Sequence, residues 1–163
     1  MATLNNYVVG EIQDAVVTAV TTAAEAALDG SSNTLAFVVS SVDNSWADML
    51  NQASKGDGQG LVWIHLRSNP VVTQSSQVFY QEASWRIRVA IPKSGRQEYT
   101  DAQNSLFIYN VRKKVVETCG TNRTWSGNAI DSYITDEQEY QGADAPYIGF
   151  ELTLKACYHY WYT

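Results

Sequence analysis

Two histidines, two cysteines and one cluster of acids are the residues of this chain best suited to chemistry, and their spacing decides what they can do. His65 and His159 are far apart in sequence, and neither has the nearby Cys, Asp or Glu pattern of a metal site. A nucleophilic triad needs a histidine beside a serine or cysteine and an orienting acid, and no GxSxG elbow is present. Both histidines are therefore expected as strand residues satisfied by hydrogen bonds. Cys119 and Cys157 are too few for a disulfide framework and lack metal-ligand spacing. Two half-buried thiols in a reducing compartment are expected.

Asp136, Glu137 and Glu139, with Asp131 and Asp144 nearby, form the acidic cluster. On a strand Glu137 and Glu139 share a face. Paired carboxylates can carry hydrolysis or bind a hard cation, but no DxDxDG-type loop accompanies them, so a solvated edge or turn is the plainer reading. The glycine-rich stretch Lys55-Gly56-Asp57-Gly58-Gln59-Gly60 lacks the GxxxxGK[ST] order of a phosphate-binding loop and precedes a strand, which makes it a flexible surface loop. Arg112-Lys113-Lys114 is too short a basic run for a nucleic-acid footprint and marks a solvated or ion-paired helix face. No catalytic, cofactor or metal site is expected from these residues, and the chain is not expected to be an enzyme.

The elements that hold these residues follow from periodicity. Val8, Ile12, Ala15, Val16, Ala19, Ala23, Ala26 and Ala27 recur at three- and four-residue steps and predict a helix from about Asn6 to Leu28, ended by Asp29-Gly30. Thr34 to Val42 is a strand with Leu35, Phe37 and Val39 on one face, and Ser45 to Leu50 makes one or two helical turns. Leu61 to Arg67 is a strand broken by Ser68-Asn69-Pro70, and Gln77 to Ile91 is a long one. In the latter Phe79, Gln81, Ala83, Trp85, Ile87, Val89 and Ile91 alternate with Tyr80, Glu82, Ser84, Arg86 and Arg88. Thr100-x-x-Gln103 is a capping box opening a helix to about Cys119, with Phe107, Ile108, Val111, Val115 and Cys119 as its apolar stripe and Gly120 as its cap. Ala129 to Tyr140 is a strand, 141–146 a turn, and Tyr147 to Tyr162 a final strand in which Ile148, Phe150, Leu152, Leu154, Ala156 and Tyr158 alternate with polar partners. The fold class is α/β (α+β): a mixed, mostly antiparallel sheet with two packed helices, in the order α-β-β-β-α-β-β, as a single domain over 1–163.

The 163 residues carry a net charge of −6, and the deficit sits in the first third. Glu11, Asp14, Glu25, Asp29, Asp43 and Asp48 precede the first basic residue, Lys55. Such a segment does not grip phosphates; it fits a solvated helix face or the wall of a channel that DNA crosses without sticking. No apolar run reaches the ~18 to 20 residues that span a bilayer, and Met1 to Asn6 lacks a basic signal region, so a soluble protein made without a signal peptide is expected. The last five residues before Thr163, Tyr158-His159-Tyr160-Trp161-Tyr162, place rings on both faces of a terminal strand that is normally frayed. A partner is expected to cover them, and the polar loops Lys55–Gly60 and Pro92–Tyr99 are expected to order against one. The candidate assembly interface is therefore Lys55, Asp57, Lys93, Arg96, Tyr158, Tyr160, Trp161 and Tyr162.

This order of elements resembles the tail terminator proteins of long-tailed bacteriophages, the lambda minor tail protein U family, and related neck and head-completion proteins. The likeness rests on the N-terminal helix, strands Leu61–Arg67 and Gln77–Ile91, the loop Pro92–Tyr99 and helix Thr100–Cys119. Thr124-Trp125-Ser126, a strand near Ile134–Tyr140 and the alternating C-terminal strand complete it. The resemblance implies an α/β protomer in a homo-oligomeric, hexameric ring that caps the tail tube, stops its polymerisation and joins tail to head. The implied partners are the tail tube protein, a neck or connector protein and, as an option, a sheath protein, with DNA only passing through the lumen and no membrane contact. The implied location is the virion, after synthesis in the host cytoplasm. The alternative is a small hydrolase or ligand-binding domain using Asp131–Glu139.

Overall fold

Alternation along two long strands decides the architecture. A computed structural model describes residues 6–29, 33–41, 45–53, 59–74, 78–93, 100–140 and 147–161. In chain order these form α1 (Asn6–Glu25), β1 (Phe37–Ser40), α2 (Ser45–Ala53), β2 (Gly60–Ser68), β3 (Val71–Gln74) and β4 (Val78–Pro92). The last three elements are α3 (Asp101–Thr121), β5 (Asp131–Tyr140) and β6 (Tyr147–Trp161). The six strands make one sheet in the order β1-β2-β4-β6-β5, with β3 also on β4. Only β1 and β2 run parallel. The class is the expected α+β arrangement.

β4 and β6 pair over all fifteen residues, from Val78↔Trp161 to Pro92↔Tyr147. One face of that ladder carries Ala83, Trp85, Ile87, Val89 and Ile91 opposite Ala156, Leu154, Leu152, Phe150 and Ile148, all buried. The two helices cover this face: α1 lies across β1 and β2, α3 across β5 and β6, and they pack on each other. α1 contributes Val9, Ile12, Val16, Val20 and Ala24, and α3 contributes Phe107, Ile108, Val111, Val115 and Cys119, the stripe read from sequence. Burial pushes the Cys119 thiol up to about 12, so it stays protonated.

Helix α3 opens as predicted, with the Thr100 hydroxyl accepting from the Gln103 backbone N–H and the Gln103 side-chain Oε1 accepting from the Thr100 N–H. Its end differs. The helix runs through Gly120 to Thr121 and is capped by Asn122, whose backbone N–H and side-chain amide both donate to the Thr118 carbonyl. The left-handed residues come three positions later, at Trp125, Ser126 and Gly127 (φ 44°, 65° and 86°). A left-handed tryptophan costs on the order of 1–2 kcal/mol; here the cost is offset by burying the indole, 1% exposed, and by its N–H donating to Ser132 Oγ at 2.8 Å. Helix α1 stops at Glu25 rather than Leu28 because the last turn tightens, Ala27 N–H bonding Ala24 O. Asp29 then closes the turn on Asn33 through backbone and carboxylate.

The helical turns read at Ser45–Leu50 form a third helix, α2, that runs on to Ala53, and β3 adds to the predicted order. α2 carries Trp46, Met49 and Leu50 onto Leu61, Trp63, Ala90 and Tyr147, a second apolar cluster on the opposite face of the sheet. A parallel β1–β2 pair needs such a crossover. The break at Ser68-Asn69-Pro70 is real, but the Pro70 carbonyl accepts the Glu82 N–H and β3 resumes along the same edge of β4. The Gly10→Ala and Gly60→Ala variants should diverge. A Cβ on Gly60 would lie 2.2 Å from the Phe37 ring, whereas one on Gly10 meets nothing. Gly60→Ala should lower the unfolding free energy by about 1–3 kcal/mol, and Gly10→Ala should raise it by about 0.5–1 kcal/mol, both read from urea midpoints.

Candidate functional site: the open face of the sheet

Among the described residues, the face of the sheet opposite α1 and α3 is covered by α2 only at the end where Leu61, Trp63 and Ala90 lie. The remainder is set by the other half of the alternation. β4 presents Arg88, Arg86, Ser84, Glu82 and Tyr80, and β6 presents Glu151, Thr153, Lys155, Cys157 and His159 directly opposite. β5 adds Gln138, Asp136, Tyr133 and Asp131 on the outer side of β6.

Next to α2, Arg88 and Arg86 converge on Glu151. Arg88 Nε donates to Oε2 at 2.7 Å, while Arg86 Nε lies 3.1 Å from Oε1. The Arg88 guanidinium also sits over the rings of Trp63 and Trp46, at 5.1 and 5.7 Å. His65 stacks on Trp63 at 5.3 Å. It is thus held on its strand by a ring.

Further along, Glu82 gathers three donors. Lys155 Nζ reaches Oε1 at 2.8 Å, the Tyr133 hydroxyl reaches Oε2 at 2.8 Å, and Cys157 Sγ lies 3.8 Å from Oε2. Lys155 and then Tyr133 hold the Glu82 carboxyl below its usual range, and Glu82 in turn raises Lys155 and Tyr133. The hydrogen bond with Cys157, helped by desolvation, pushes the Tyr80 phenol up to about 12. His159 packs edge-on against Tyr80 at 5.7 Å and is exposed. A carboxylate so occupied stays charged and is poorly placed as a general acid or base near neutral pH.

The described acids of the predicted cluster do not converge. Asp131, paired with Cys157 on the open face, is held by Arg123 through contacts of 2.7 and 2.6 Å, which lower its pKa. Glu137 pairs with Leu152 on the helix face and is bound by Arg112 of α3. A register shift between Ile134 and Asp136 separates the two. The side chain of Glu139 and residue Asp144 lie outside the description. Among the described residues no group of three or more His, Cys, Asp or Glu is arranged to hold a metal.

Of the candidate interface residues, Lys55, Asp57, Arg96 and Tyr162 lie outside the described residues, as do the side chains of Tyr160 and Trp161, whose backbones belong to β6. Lys93 follows β4 and is half-buried. Tyr158 is a core residue instead: it is 1% exposed, and its hydroxyl donates to Asn69 Oδ1 at 2.8 Å. Alternation correctly puts it on the apolar face, but not how far the core extends along the strand. The pairing of Glu82 with Lys155 and of Glu151 with two arginines was missed because it needs the β4–β6 register.

The chain matches no protein-family model, and no curated protein matches it. Among the described residues no helix is long and apolar enough to cross a membrane.

Glu82 generates a pH prediction. Its folded pKa is depressed, so its stabilising contribution is complete above the ordinary value of 4.5 and is lost as pH falls through the lowered folded value. Glu82→Gln should therefore unfold more easily than wild type at pH 7, with the difference shrinking toward pH 3. Urea midpoints at both pH values check this; a constant difference would show that Glu82 contributes through packing alone.

Proposed function

We propose that this chain is a structural virion protein that works as a ring, in the manner of phage tail terminators or their neck relatives. In that role it caps the tail tube, ends its polymerisation and offers a surface to the head or connector. The observation that carries the reading is the reach of β6. β5 begins opposite Cys157, yet β6 continues through Tyr158, His159 and Tyr160 to Trp161, paired with β4 throughout. The strand thus reaches past the start of the β5 ladder. Strand edges can template addition of further chains, and a subunit that matches a tube on one face only ends its growth.

The apolar surface near this end supports the same reading. Val71 and Val72 of β3 are 49% and 55% exposed, without a charge between Val71 and Gln74 to discourage pairing. The partners on this reading are other copies of the chain, the tube protein and a connector, with a sheath protein in a contractile tail.

Native mass measurement and electron microscopy of the purified protein should show a closed ring, with a hexamer expected. Deleting residues 159–163, which spares the core residue Tyr158, should leave the far-ultraviolet circular dichroism unchanged and abolish the ring. A full-length protein that stays monomeric at every concentration would sink the ring; an intact ring after the deletion would remove β6 from it.

A further inference from the structure

We propose that successive copies of this chain meet face to back, the acidic outer ridge of α1 in one protomer docking on the Arg86–Arg88 region of the next protomer's open sheet face. This rests on the ring reading and names the surfaces that would build it. The first surface is one-signed. Asp14, Thr18, Thr22 and Glu25 are exposed along the outer side of α1, Glu11 is half-exposed beside them, and the helix contains no Lys or Arg.

The second surface has the opposite sign, in a protein whose overall charge is −6. Arg86 and Arg88 share one carboxylate, Glu151. Arg86 Nε is buried and, although at ion-pair distance from Glu151, has no hydrogen-bond acceptor. Arg67, the extra residue where β2 shifts register against β4, is exposed nearby. The Arg86 and Arg88 side chains are 27% and 22% exposed, so a carboxylate from outside would add a second acid to this pair.

The two surfaces lie on opposite sides of the sheet, so the contact is heterologous: each copy offers one of each, and contacts continue until a ring closes. Complementary charge of this kind sets orientation and register between partners.

The test uses two full-length variants, E11K/D14K on the ridge and R86E on the sheet. Each alone should raise the concentration needed for assembly by roughly tenfold or more. Mixed, one contact joins the native ridge to the native sheet face and the other joins the two charge-reversed surfaces, again opposite in sign, so the mixture should assemble at a lower concentration than either variant alone. Wild-type assembly should also weaken as salt is raised from about 0.05 M to about 0.5 M. A folded E11K/D14K protein that assembles like wild type, or an assembly indifferent to salt, overturns the inference while leaving the ring reading standing. A wild-type protein that never assembles overturns both. If R86E fails to fold, E11K/D14K with the salt series decides.

Discussion

The structure depends on the register between β4 and β6. Because side chains alternate, a slip of one residue would carry one strand's apolar set, Trp85 and Ile87 or Leu152 and Leu154, to the polar face and drive Arg86 and Arg88, or Glu151, into the core. Gly149 helps to fix the pairing: a Cβ there would lie 2.3 Å from the Val89 carbonyl oxygen, so the strands approach at this point only because the residue has no side chain. The two helices, the second apolar cluster under α2 and the outer strand β5 are all placed by that single alignment.

The ion pairs on the open face belong to the same constraint. Arg88 faces Glu151 directly, while Arg86 with Glu151 and Glu82 with Lys155 pair diagonally across the ladder. Partly buried pairs of this kind are weak contributors to net stability because desolvation offsets much of the attraction. Their effect is selective. Any other alignment leaves several charges unmatched against apolar neighbours, so the polar face penalises the errors that the apolar face alone would tolerate.

Sequence made legible whatever repeats at a fixed period or has a local signature. The alternation of β4 and β6, the stripe of α3 and the Thr100–Gln103 box all stand in the structure. The short elements α2 and β3 were less legible, because nine and four residues carry too few periods and are held by distant partners such as Trp63 and Glu82. The left-handed turn at Trp125 had no local sign either, since burial of the indole and its hydrogen bond to Ser132 offset that backbone. The candidate site was legible as a set of residue types and illegible as pairs. Glu82 and Lys155 are separated by more than seventy positions, and nothing short of the register brings them together.

The way β6 is flanked has a mechanical consequence. For most of its length it runs between β4 and β5, antiparallel to both, and its far end is pinned by Tyr158 to Asn69. A pull along its axis therefore loads two rows of backbone hydrogen bonds side by side, in shear, instead of opening them one after another. The unfolding rate governs yielding under force, and in this geometry both rows must give way together before β6 moves. A subunit anchored through that strand would transmit tension into the middle of its sheet and resist it there as a unit.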